Sequence, residues 1–441
     1  MGVPALKVAL VEVIPDRKRC VNKDFMGGYG WAFKVGDSLR ARGIELVKRV
    51  GERLPLMSFG YLAGIFARAG YACEYSNGVV PDADLALIYA SLVDHRAERA
   101  MAMRYKRETH ATVAFIGPFA SHCPDQFLDA ADIVVAGEPE QFALDLVASG
   151  RLPAGVTSSP DVRDLDSLPF PDWSTFPVRS YSYFPALRQR PFLPILSSRG
   201  CPYTCEYCPY EIIKFRERST ENVLDELAQW RDRYGLRAFL FRDPIFSLRR
   251  ERVVELMEGM LSRGFDFRWA CETRMDCLDV ELLELMARAG LRVVNVAVES
   301  SSDAVLKNVS RKAIPVQHQE EIVRACDRLG IRVTVFYVIG LPEDTRESII
   351  ETVAYAKRLN THVAQFFVYT PFPGTRLYDR VKDDLITTDW EQFDCYSPVT
   401  KHPTLTPTEI LDLKEWAFVS YYYRPTYLAK FALRAARDLV S

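Results

Sequence analysis

The feature that most constrains this chain is a long alternation of strand-like and helix-like segments that begins near residue 194. Short apolar runs, typical of buried parallel strands, alternate with longer amphipathic segments. The predicted strands cover residues 195–198, 238–241, 267–271, 293–298, 333–339 and 363–369, and the predicted helices cover residues 221–234, 249–263, 280–289, 316–329 and 346–359. Six consecutive units favour a (βα)6 barrel or partial barrel, in which chemistry concentrates at the carboxyl ends of the strands.

The first part of the chain shows a second alternation of the same kind. Its segments are residues 6–13, 54–69, 85–90, 97–106, 112–116 and 133–136. This pattern predicts a doubly wound, Rossmann-like parallel sheet, whose ligands bind at the carboxyl ends of its strands. We expect residues 129–139 to supply the last strand of this sheet and the exit from it.

The chain is therefore predicted to be an α/β protein with four parts. Residues 1–150 form the Rossmann-like domain, and residues 151–192, rich in proline and aromatic residues, form an extended connector packed against both neighbours. Residues 193–375 form the barrel. Residues 376–441 form a helical C-terminal cap.

The tail of the cap begins with helix-capping chemistry at residues 405–409. Its end, residues 427–437, is amphipathic and basic. We interpret this end as a helix that closes the open side of the barrel. The alternative interpretation is peripheral contact with a membrane surface through this C-terminal helix.

Composition restricts the class of partner. The 441 residues include 56 Lys and Arg against 58 Asp and Glu, a formal charge of -2, so no global basic field favours nucleic acid. We expect a small-molecule substrate and no nucleic acid. The ten cysteines form no regular framework and the chain begins without a cleavable signal, which together predict a cytoplasmic protein. No run of about 18 apolar residues predicts a membrane span.

Three cysteines, Cys201, Cys205 and Cys208, lie in one short loop after the first predicted barrel strand. An electron-transfer [4Fe-4S] cluster takes four thiolates, so a compact loop with three leaves one iron free to bind another molecule. The alternative, a structural zinc site, requires four ligands and often a second C-x-x-C pair. The other cysteines are scattered singly and the six histidines form no H-x-x-x-H pair.

The spacing C-x-x-x-C-x-x-C resembles the signature of the radical SAM superfamily, and the resemblance extends over residues 194–375. It implies a [4Fe-4S] cluster whose open iron binds the amino and carboxylate groups of S-adenosylmethionine (SAM). An electron from such a cluster cleaves SAM to a 5′-deoxyadenosyl radical. The resemblance also implies an electron donor of the flavodoxin or ferredoxin type.

Polar residues at the ends of the second and third strands match positions that contact SAM in the superfamily. The resemblance implies that Asp243 accepts hydrogen bonds from the methionyl ammonium group. Glu272 and Arg274 close the third strand, where Arg274 would pair with the methionyl carboxylate. For each residue, a solvated charge or an internal ion pair is the alternative interpretation.

Three further positions match the SAM site of the superfamily. Tyr207 corresponds to an aromatic residue that packs near the adenine, and Glu299 corresponds to an acidic residue near the ribose or amino group. Gly340 corresponds to a turn that lets the backbone approach the adenine.

Residues 369–375, 389–390 and 423–425 resemble the subgroup of radical SAM enzymes that carry an N-terminal cobalamin-binding domain. The chain lacks the D-x-H-x-x-G segment that supplies a histidine to cobalt in cobalamin mutases, and the usual glycine pair is reduced to Gly117-Pro118. We therefore expect that no motif histidine ligates a bound cobalamin. His95, His110 and His122 are interpreted as surface or capping residues, with replacement of the missing histidine as the alternative interpretation.

The glycine-rich segment 22–30 does not spell a pyrophosphate motif. Two interpretations of it stay open. Either it folds over the corrin or the active site, or it is a flexible surface loop.

The resemblance implies that the radical abstracts hydrogen from an unactivated carbon and that methylcobalamin delivers a methyl group to the substrate radical. We therefore expect C-methylation in secondary-metabolite or lipid biosynthesis, with cyclisation or rearrangement as the alternative reaction. Two other hypotheses are an N-terminal domain that only docks a partner, and a noncatalytic assembly factor.

Overall fold

The computed structural model describes residues 6–13, 20–49 and 51–440. Its N-terminal part contains a six-stranded sheet in which all strand pairs are parallel. In spatial order the strands are Ala72–Asn77, Lys7–Glu12, Leu85–Tyr89, Thr112–Ile116, Ile133–Gly137 and Gly155–Ser159. Because the first strand in sequence lies inside the sheet, the chain winds in both directions from it, which confirms the predicted doubly wound fold.

Helices connect the strands of this first sheet. Their bounds are Leu39–Arg49, Met57–Arg68, His95–Glu108, Pro118–His122 and Pro139–Ser149. The helix Met57–Arg68 is buried along almost its whole length. The sequence of this helix is apolar almost throughout, because the sheet and the connector cover the helix on different sides.

The prediction that residues 129–139 supply the last strand was wrong. The strand Gly155–Ser159 pairs with Ile133–Gly137 and extends the sheet beyond residue 150, where we expected the domain to end. The strand Ala72–Asn77 was also missed. Both are edge strands with polar, partly exposed residues, so neither shows the apolar run of a buried parallel strand.

The connector is ordered by its aromatic residues. Trp173 is fully buried and lies between the two domains. A Cβ atom on Gly60 would come within 2.5 Å of the Trp173 ring, and the Trp230 ring of the barrel lies 6.2 Å away. This confirms the prediction that the connector packs against both neighbours.

The second large sheet has six parallel strands in sequential order, as an open barrel requires. The strands are Phe192–Ile195, Ala238–Phe241, Arg268–Glu272, Leu291–Glu299, Arg332–Ile339 and Val363–Val368. The helices between them are Thr220–Tyr234, Arg250–Ser262, Val280–Arg288, Asp303–Asn308, Val316–Arg328 and Arg346–Leu359. The predicted partial barrel is confirmed, and the short helix Asp303–Asn308 is an addition to it.

The C-terminal part consists of the helices Arg376–Val381, Pro407–Tyr422 and Pro425–Val440. Thr406 and Glu409 form the capping box that the sequence predicts. The hydroxyl of Tyr422 bonds the backbone of Ala364 on the last barrel strand, so the helix Pro407–Tyr422 packs against the open side of the barrel. None of the described helices is both long enough and apolar enough to cross a membrane.

A ribbon (residues 20–33) joins the two domains. Its strands, Cys20–Asn22 and Trp31–Phe33, pair antiparallel. The Trp31 ring lies 5.4 Å from Phe367 of the last barrel strand, and the Phe33 ring lies 5.1 Å from Tyr396. The N-terminal part of the chain therefore contributes directly to the packing of the barrel.

Candidate active site

The cysteine loop (residues 199–208) follows the first barrel strand. Its first turn contains Gly200, whose φ is +72°. A Cβ atom there would come within 2.3 Å of the carbonyl oxygen of Ile213, so the turn has no room for a side chain. Glycine satisfies both the left-handed backbone and the close approach.

All three cysteines of this loop line one cavity of about 210 Å³, which we call the first cavity. Within the described ranges, no three Cys, His, Asp or Glu side chains are grouped closely enough to hold a single metal ion. The three thiols nevertheless line one common space, which is the arrangement that ligands of a shared cluster need.

Burial and nearby hydrogen-bond donors act in opposite directions on the thiols of the cysteine loop. Burial raises the pKa of Cys201 and Cys208, and the backbone N–H groups of Tyr203 and Tyr210, which bond to these sulfurs, oppose that rise. Nη1 of Arg311 lies 4.0 Å from Sγ of Cys205. Backbone donors and a nearby guanidinium both stabilise negative sulfur.

Arg311 also belongs to a polar group beside the cysteines. The Tyr207 hydroxyl donates to Oε1 of Glu299 at 2.8 Å, and Nη2 of Arg311 lies 3.8 Å from the same oxygen. Arg311 donates to the carbonyl of Ala297 at 2.9 Å. Glu299 has a φ of +65°, so its strand ends in a left-handed residue at this point. The side chains of Tyr207, Glu299 and Arg311 thus reach the cavity from separate segments of the chain and hold one another in place.

Arg274 offers an unused donor to the first cavity. Its guanidinium pairs with Asp276 through two bonds of 2.9 Å and lies 4.3 Å from the centre of the Tyr203 ring. Nη1 is buried and has no hydrogen-bond partner. A buried donor of this kind favours an anionic ligand group such as a carboxylate.

Glu272 lines the same cavity but is paired inside the protein. Arg242 donates to Oε1 of Glu272 at 2.5 Å and to both the side chain and the carbonyl of Asp24 at 2.9 Å. Burial raises the pKa of Glu272, and the charge of Arg242 opposes that rise. Because Asp24 belongs to the ribbon, Arg242 ties the N-terminal part of the chain to the barrel rim.

A second cavity of about 490 Å³ lies between the two domains. Its N-terminal wall comes from the loops that follow the strands Thr112–Ile116 and Ile133–Gly137, and its other wall comes from the exit of the cysteine loop. Gly117 in this wall has a φ of +106°, and a Cβ atom on Gly28 of the ribbon would come within 2.2 Å of the Tyr89 hydroxyl. Both glycines therefore allow the backbone to pack closely against the Tyr89 side chain, which is part of the lining.

The two cavities share a wall. Pro209, Tyr210, Arg242 and Pro244 line both of them. The turn of the ribbon lies at the same place, with Phe25 and Met26 on the first cavity and Gly27 and Gly28 on the second. The surface-loop interpretation of segment 22–30 was wrong, because this turn separates two interior spaces.

Residues 195–356 match the family model described as the radical SAM superfamily. Over this segment, which is the greater part of the barrel, the chain is similar to that superfamily. The matched segment begins in the first barrel strand and contains the three cysteines and the rim positions described above. The match to the superfamily therefore includes the cysteines and the rim residues that line the first cavity.

Two named relatives extend the similarity beyond the barrel. An uncharacterized methyltransferase, PH0819, of Pyrococcus horikoshii is 27% identical over 71% of this chain and 73% of its own length. The anaerobic magnesium-protoporphyrin IX monomethyl ester cyclase of Cereibacter sphaeroides is 27% identical over 70% of this chain, which spans 53% of that relative. The relatives thus include both a methyltransferase and a cyclase by name.

A solved structure shows the same fold over both domains. It is the radical SAM methyltransferase TsrM from Kitasatospora setae, solved with cobalamin and a [4Fe-4S] cluster bound. The match has a TM-score of 0.62 at 16% identity and covers 87% of this chain and 78% of TsrM. At this identity the likeness establishes the fold alone, including the Rossmann-like domain beside the radical SAM barrel.

Of the six residues that the superfamily resemblance assigns to SAM, four line the first cavity with the cysteines: Tyr207, Glu272, Arg274 and Glu299. Their contact with SAM stays a prediction. Two residues that line this cavity were missed. Arg311 follows a short helix rather than a strand end, and Asn295 lies within a strand, so neither position carries a signal in the sequence.

The structure contradicts the SAM-binding role predicted for Asp243. This side chain is fully buried and accepts bonds from the N–H of Ser197 at 2.7 Å, from its hydroxyl at 2.5 Å and from the Ser198 hydroxyl at 2.8 Å. It does not line the first cavity. Its neighbour Arg242 faces the cavity instead, because successive residues beyond a strand project in different directions.

Gly340 is the second correction. Its N–H donates to Oδ2 of Asp344 at 3.0 Å, and its open side faces the Ile410 side chain of the C-terminal helix. It does not line the first cavity. The left-handed φ of +81° therefore serves the turn and the packing of the cap rather than an approach to adenine.

The three candidate histidines differ in position. His122 lines the second cavity, and burial lowers the pKa of its ring. His95 is buried outside that cavity, where Nδ1 bonds the carbonyl of Leu92, and His110 is exposed. Of the three, His122 is the candidate that the geometry retains.

Proposed function

We propose that this chain is a cobalamin-dependent radical SAM methyltransferase that methylates an unactivated carbon of a secondary metabolite or lipid. The observation that carries the proposal is the shared wall of the two cavities. A substrate placed at Tyr210 and Arg242 contacts both spaces at once. Methylation at carbon requires this arrangement, because hydrogen removal and methyl delivery act on the same atom.

The first cavity supplies the groups that hold a cluster and SAM. Cys201, Cys205 and Cys208 are the cluster ligands of this proposal, and a cluster bound there supplies the electron that cleaves SAM. Arg274, through its free Nη1, would bind the methionyl carboxylate. Glu299, already oriented by Tyr207 at 2.8 Å, would accept a hydrogen bond from the ribose or the amino group.

The second cavity supplies the space for a corrinoid, whose chemical contribution is a methyl group. The fit rests on the position of the cavity between the two domains and on its volume of about 490 Å³, the larger of the two cavities. Ligands of doubly wound sheets bind at the carboxyl ends of the strands, which is where this cavity lies. An external electron donor of the flavodoxin or ferredoxin type completes the proposal.

The substrate side of the first cavity is apolar. Aromatic side chains dominate its lining, namely Phe25, Trp31, Phe336, Phe367 and Phe372. Among them, Oδ1 of Asn295 is buried without a partner, while its Nδ2 donates to the Tyr183 hydroxyl at 2.8 Å. This lining favours a largely apolar substrate that donates one hydrogen bond.

The alternative reaction is cyclisation or rearrangement without methyl transfer, which the similarity to a protein named as a cyclase favours. In that reaction SAM yields 5′-deoxyadenosine but no S-adenosylhomocysteine. A further alternative, an N-terminal domain that only docks a partner, predicts an empty second cavity in the purified protein.

The test is anaerobic reconstitution with iron, sulfide and hydroxocobalamin, followed by gel filtration, an absorption spectrum and chromatography of the products formed from SAM under reduction. We expect cluster and corrin bands together with 5′-deoxyadenosine and S-adenosylhomocysteine. The variant with Cys201, Cys205 and Cys208 replaced by Ala loses the cluster and 5′-deoxyadenosine but keeps the corrin bands. Cys73→Ala, outside both cavities, is the matched control.

Each other outcome selects an alternative. Corrin bands with 5′-deoxyadenosine but without S-adenosylhomocysteine favour the cyclase. A cluster without corrin favours the docking domain. Failure of wild type to cleave SAM overturns the proposal.

A further inference from the structure

The tip of the cysteine loop reaches the protein surface. Pro202 and Thr204 are exposed, and they are next in sequence to Cys201 and Cys205. The cysteines themselves line the first cavity. The rate of electron transfer falls steeply with distance, so an electron that reaches a cluster on these thiols has its shortest route through this exposed tip.

Two arginines of the helix Arg376–Val381 hold the outer side of the loop. Arg376 donates to the carbonyl of Thr204 at 2.5 Å and pairs with Glu211 at 2.8 Å, and Arg380 pairs with Glu206 at 2.8 Å. The side chains of Glu211 and Glu206 are only 6% and 17% exposed, whereas those of the two arginines are 54% and 41% exposed. The surface at these pairs is therefore cationic.

Two exposed lysines come from other segments that contact the same loop. The carbonyl oxygen of Lys214 lies 2.6 Å from the position of a Cβ atom on Gly200, at the beginning of the loop. Lys307 belongs to the helix Asp303–Asn308, and the N–H of Glu206 donates to Val309 just beyond that helix. Neither ammonium group pairs with a carboxylate of the described part of the chain.

Exposed positive charge exceeds exposed negative charge around the tip, although the whole chain has a formal charge of -2. The exposed acidic residues of the two helices are Asp303 and Asp379, and Asp379 faces Lys382 at 4.0 Å. The four cations therefore leave a local excess that an acidic partner can complement. Such an excess speeds encounter and orients the partner without requiring tight binding.

We propose that Lys214, Lys307, Arg376 and Arg380 form the docking surface of a small acidic electron-transfer protein of the flavodoxin type. The inference rests on the proposed function, since it requires a cluster at the three cysteines. In the transfer, the reduced flavin of the partner is oxidised by one electron and the cluster is reduced by that electron. No covalent bond of either protein forms or breaks in this step.

The test supplies the electron to reconstituted protein in two ways. One is a bacterial flavodoxin kept reduced by its reductase and NADPH, and the other is excess dithionite, which needs no docking surface. Lys214→Glu combined with Lys307→Glu reverses the two unpaired charges and leaves the arginine contacts of the loop intact. The matched control combines Arg237→Glu with Arg288→Glu, which reverses two exposed cations at the amino ends of the barrel strands, opposite the cysteine loop.

Two quantities are measured: the rate of 5′-deoxyadenosine formation, and the Kd of flavodoxin by isothermal titration calorimetry. We expect the lysine variant to bind flavodoxin about tenfold more weakly than wild type and to cleave SAM about tenfold more slowly with flavodoxin. Both differences should shrink when salt is raised to about 300 mM. With dithionite, both variants should match wild type, and the arginine control should match it throughout.

The failures are distinguishable. The inference is overturned, and the proposed function stands, if wild type does not bind flavodoxin or if the lysine variant matches the control with flavodoxin. Equal loss of activity with dithionite also overturns it, because the lysines would then support the site rather than the docking. If wild type cleaves no SAM with dithionite, the inference and the proposed function fail together.

Discussion

The two cavities lie at equivalent places, at the carboxyl ends of a parallel sheet, but they are built differently. The first cavity is lined by cysteines and by charged side chains, such as Arg274 and Arg311, that reach it from several loops. The second cavity is lined on its N-terminal side by glycine-containing turns, such as those at Gly28 and Gly117. The cysteines of one loop leave a regular spacing in the sequence, whereas a wall assembled from several separate turns leaves almost none.

The comparison also shows how the two regions depend on each other. Arg242 lines both cavities and bonds the ribbon as well as the barrel rim. The helix Pro407–Tyr422 also connects the two parts. Its Glu415 accepts a hydrogen bond from the N–H of Asp37, and its Tyr422 donates one to the backbone of the last barrel strand. Two of the variants below test these connections, and one tests the first cavity alone.

Arg242→Met should give the largest loss of stability. It leaves the carboxylates of Asp24 and Glu272 without their buried partner, and breaking a buried pair costs about 3–5 kcal/mol in the free energy of unfolding. Urea unfolding measures this. The control is Arg96→Met, which removes an exposed pair with Asp389 between the N-terminal domain and the C-terminal part and should cost less than about 1 kcal/mol. Equal stability of the two variants would show that the domains do not depend on Arg242.

Lys414→Met should change the pH dependence of stability. Burial lowers the pKa of Lys414 to about 8 from an ordinary 10.5, although its Nζ donates to the carbonyl of Tyr396. The folded pKa lies below the unfolded one, so the unfolded chain binds more protons between these values and wild-type stability rises with pH across them. The rise relative to Lys414→Met should reach up to about 3 kcal/mol.

Urea unfolding from pH 7 to pH 10.5 measures the effect of Lys414. The control is Lys401→Met, which removes an exposed lysine and should follow the wild-type curve. If wild type and Lys414→Met show parallel curves, Lys414 is not buried as a cation beside the barrel.

Arg311→Met should affect the first cavity alone. Removing the guanidinium that lies near Cys205 and Glu299 should slow SAM cleavage about 10- to 100-fold, as loss of a group that orients metal ligands does. Corrin retention should not change, since Arg311 does not line the second cavity. The neighbouring exposed lysine, in Lys312→Met, is the control. Parallel loss of corrin would show that the two cavities are not separable.

Much of the fold was predictable from the sequence. The six barrel strands and the inner strands of the first sheet are apolar runs, because both faces of a parallel sheet are covered. The edge strands Ala72–Asn77 and Gly155–Ser159 were not predictable in this way, since one side of each is exposed and polar. The end of the N-terminal sheet was therefore placed too early.

The candidate site was predictable in part. Strand-end positions identified three residues that line the first cavity, Glu272, Arg274 and Glu299, and two, Asp243 and Gly340, that do not, while the cysteine loop identified Tyr207. The period of a strand locates its end but not the direction of side chains in the loop beyond it. Arg311 and His122 had no periodic position to mark them.

By itself, the sequence determined the three-cysteine loop, the alternation of strands and helices, and hence the similarity of residues 195–356 to the radical SAM superfamily. These depend on residues close together in the chain, where spacing alone sets which groups meet. Only the tertiary structure decided that Arg242 rather than Asp243 faces the cavity and that the ribbon separates the two cavities. Such contacts join residues far apart in sequence, and packing rather than local spacing selects them.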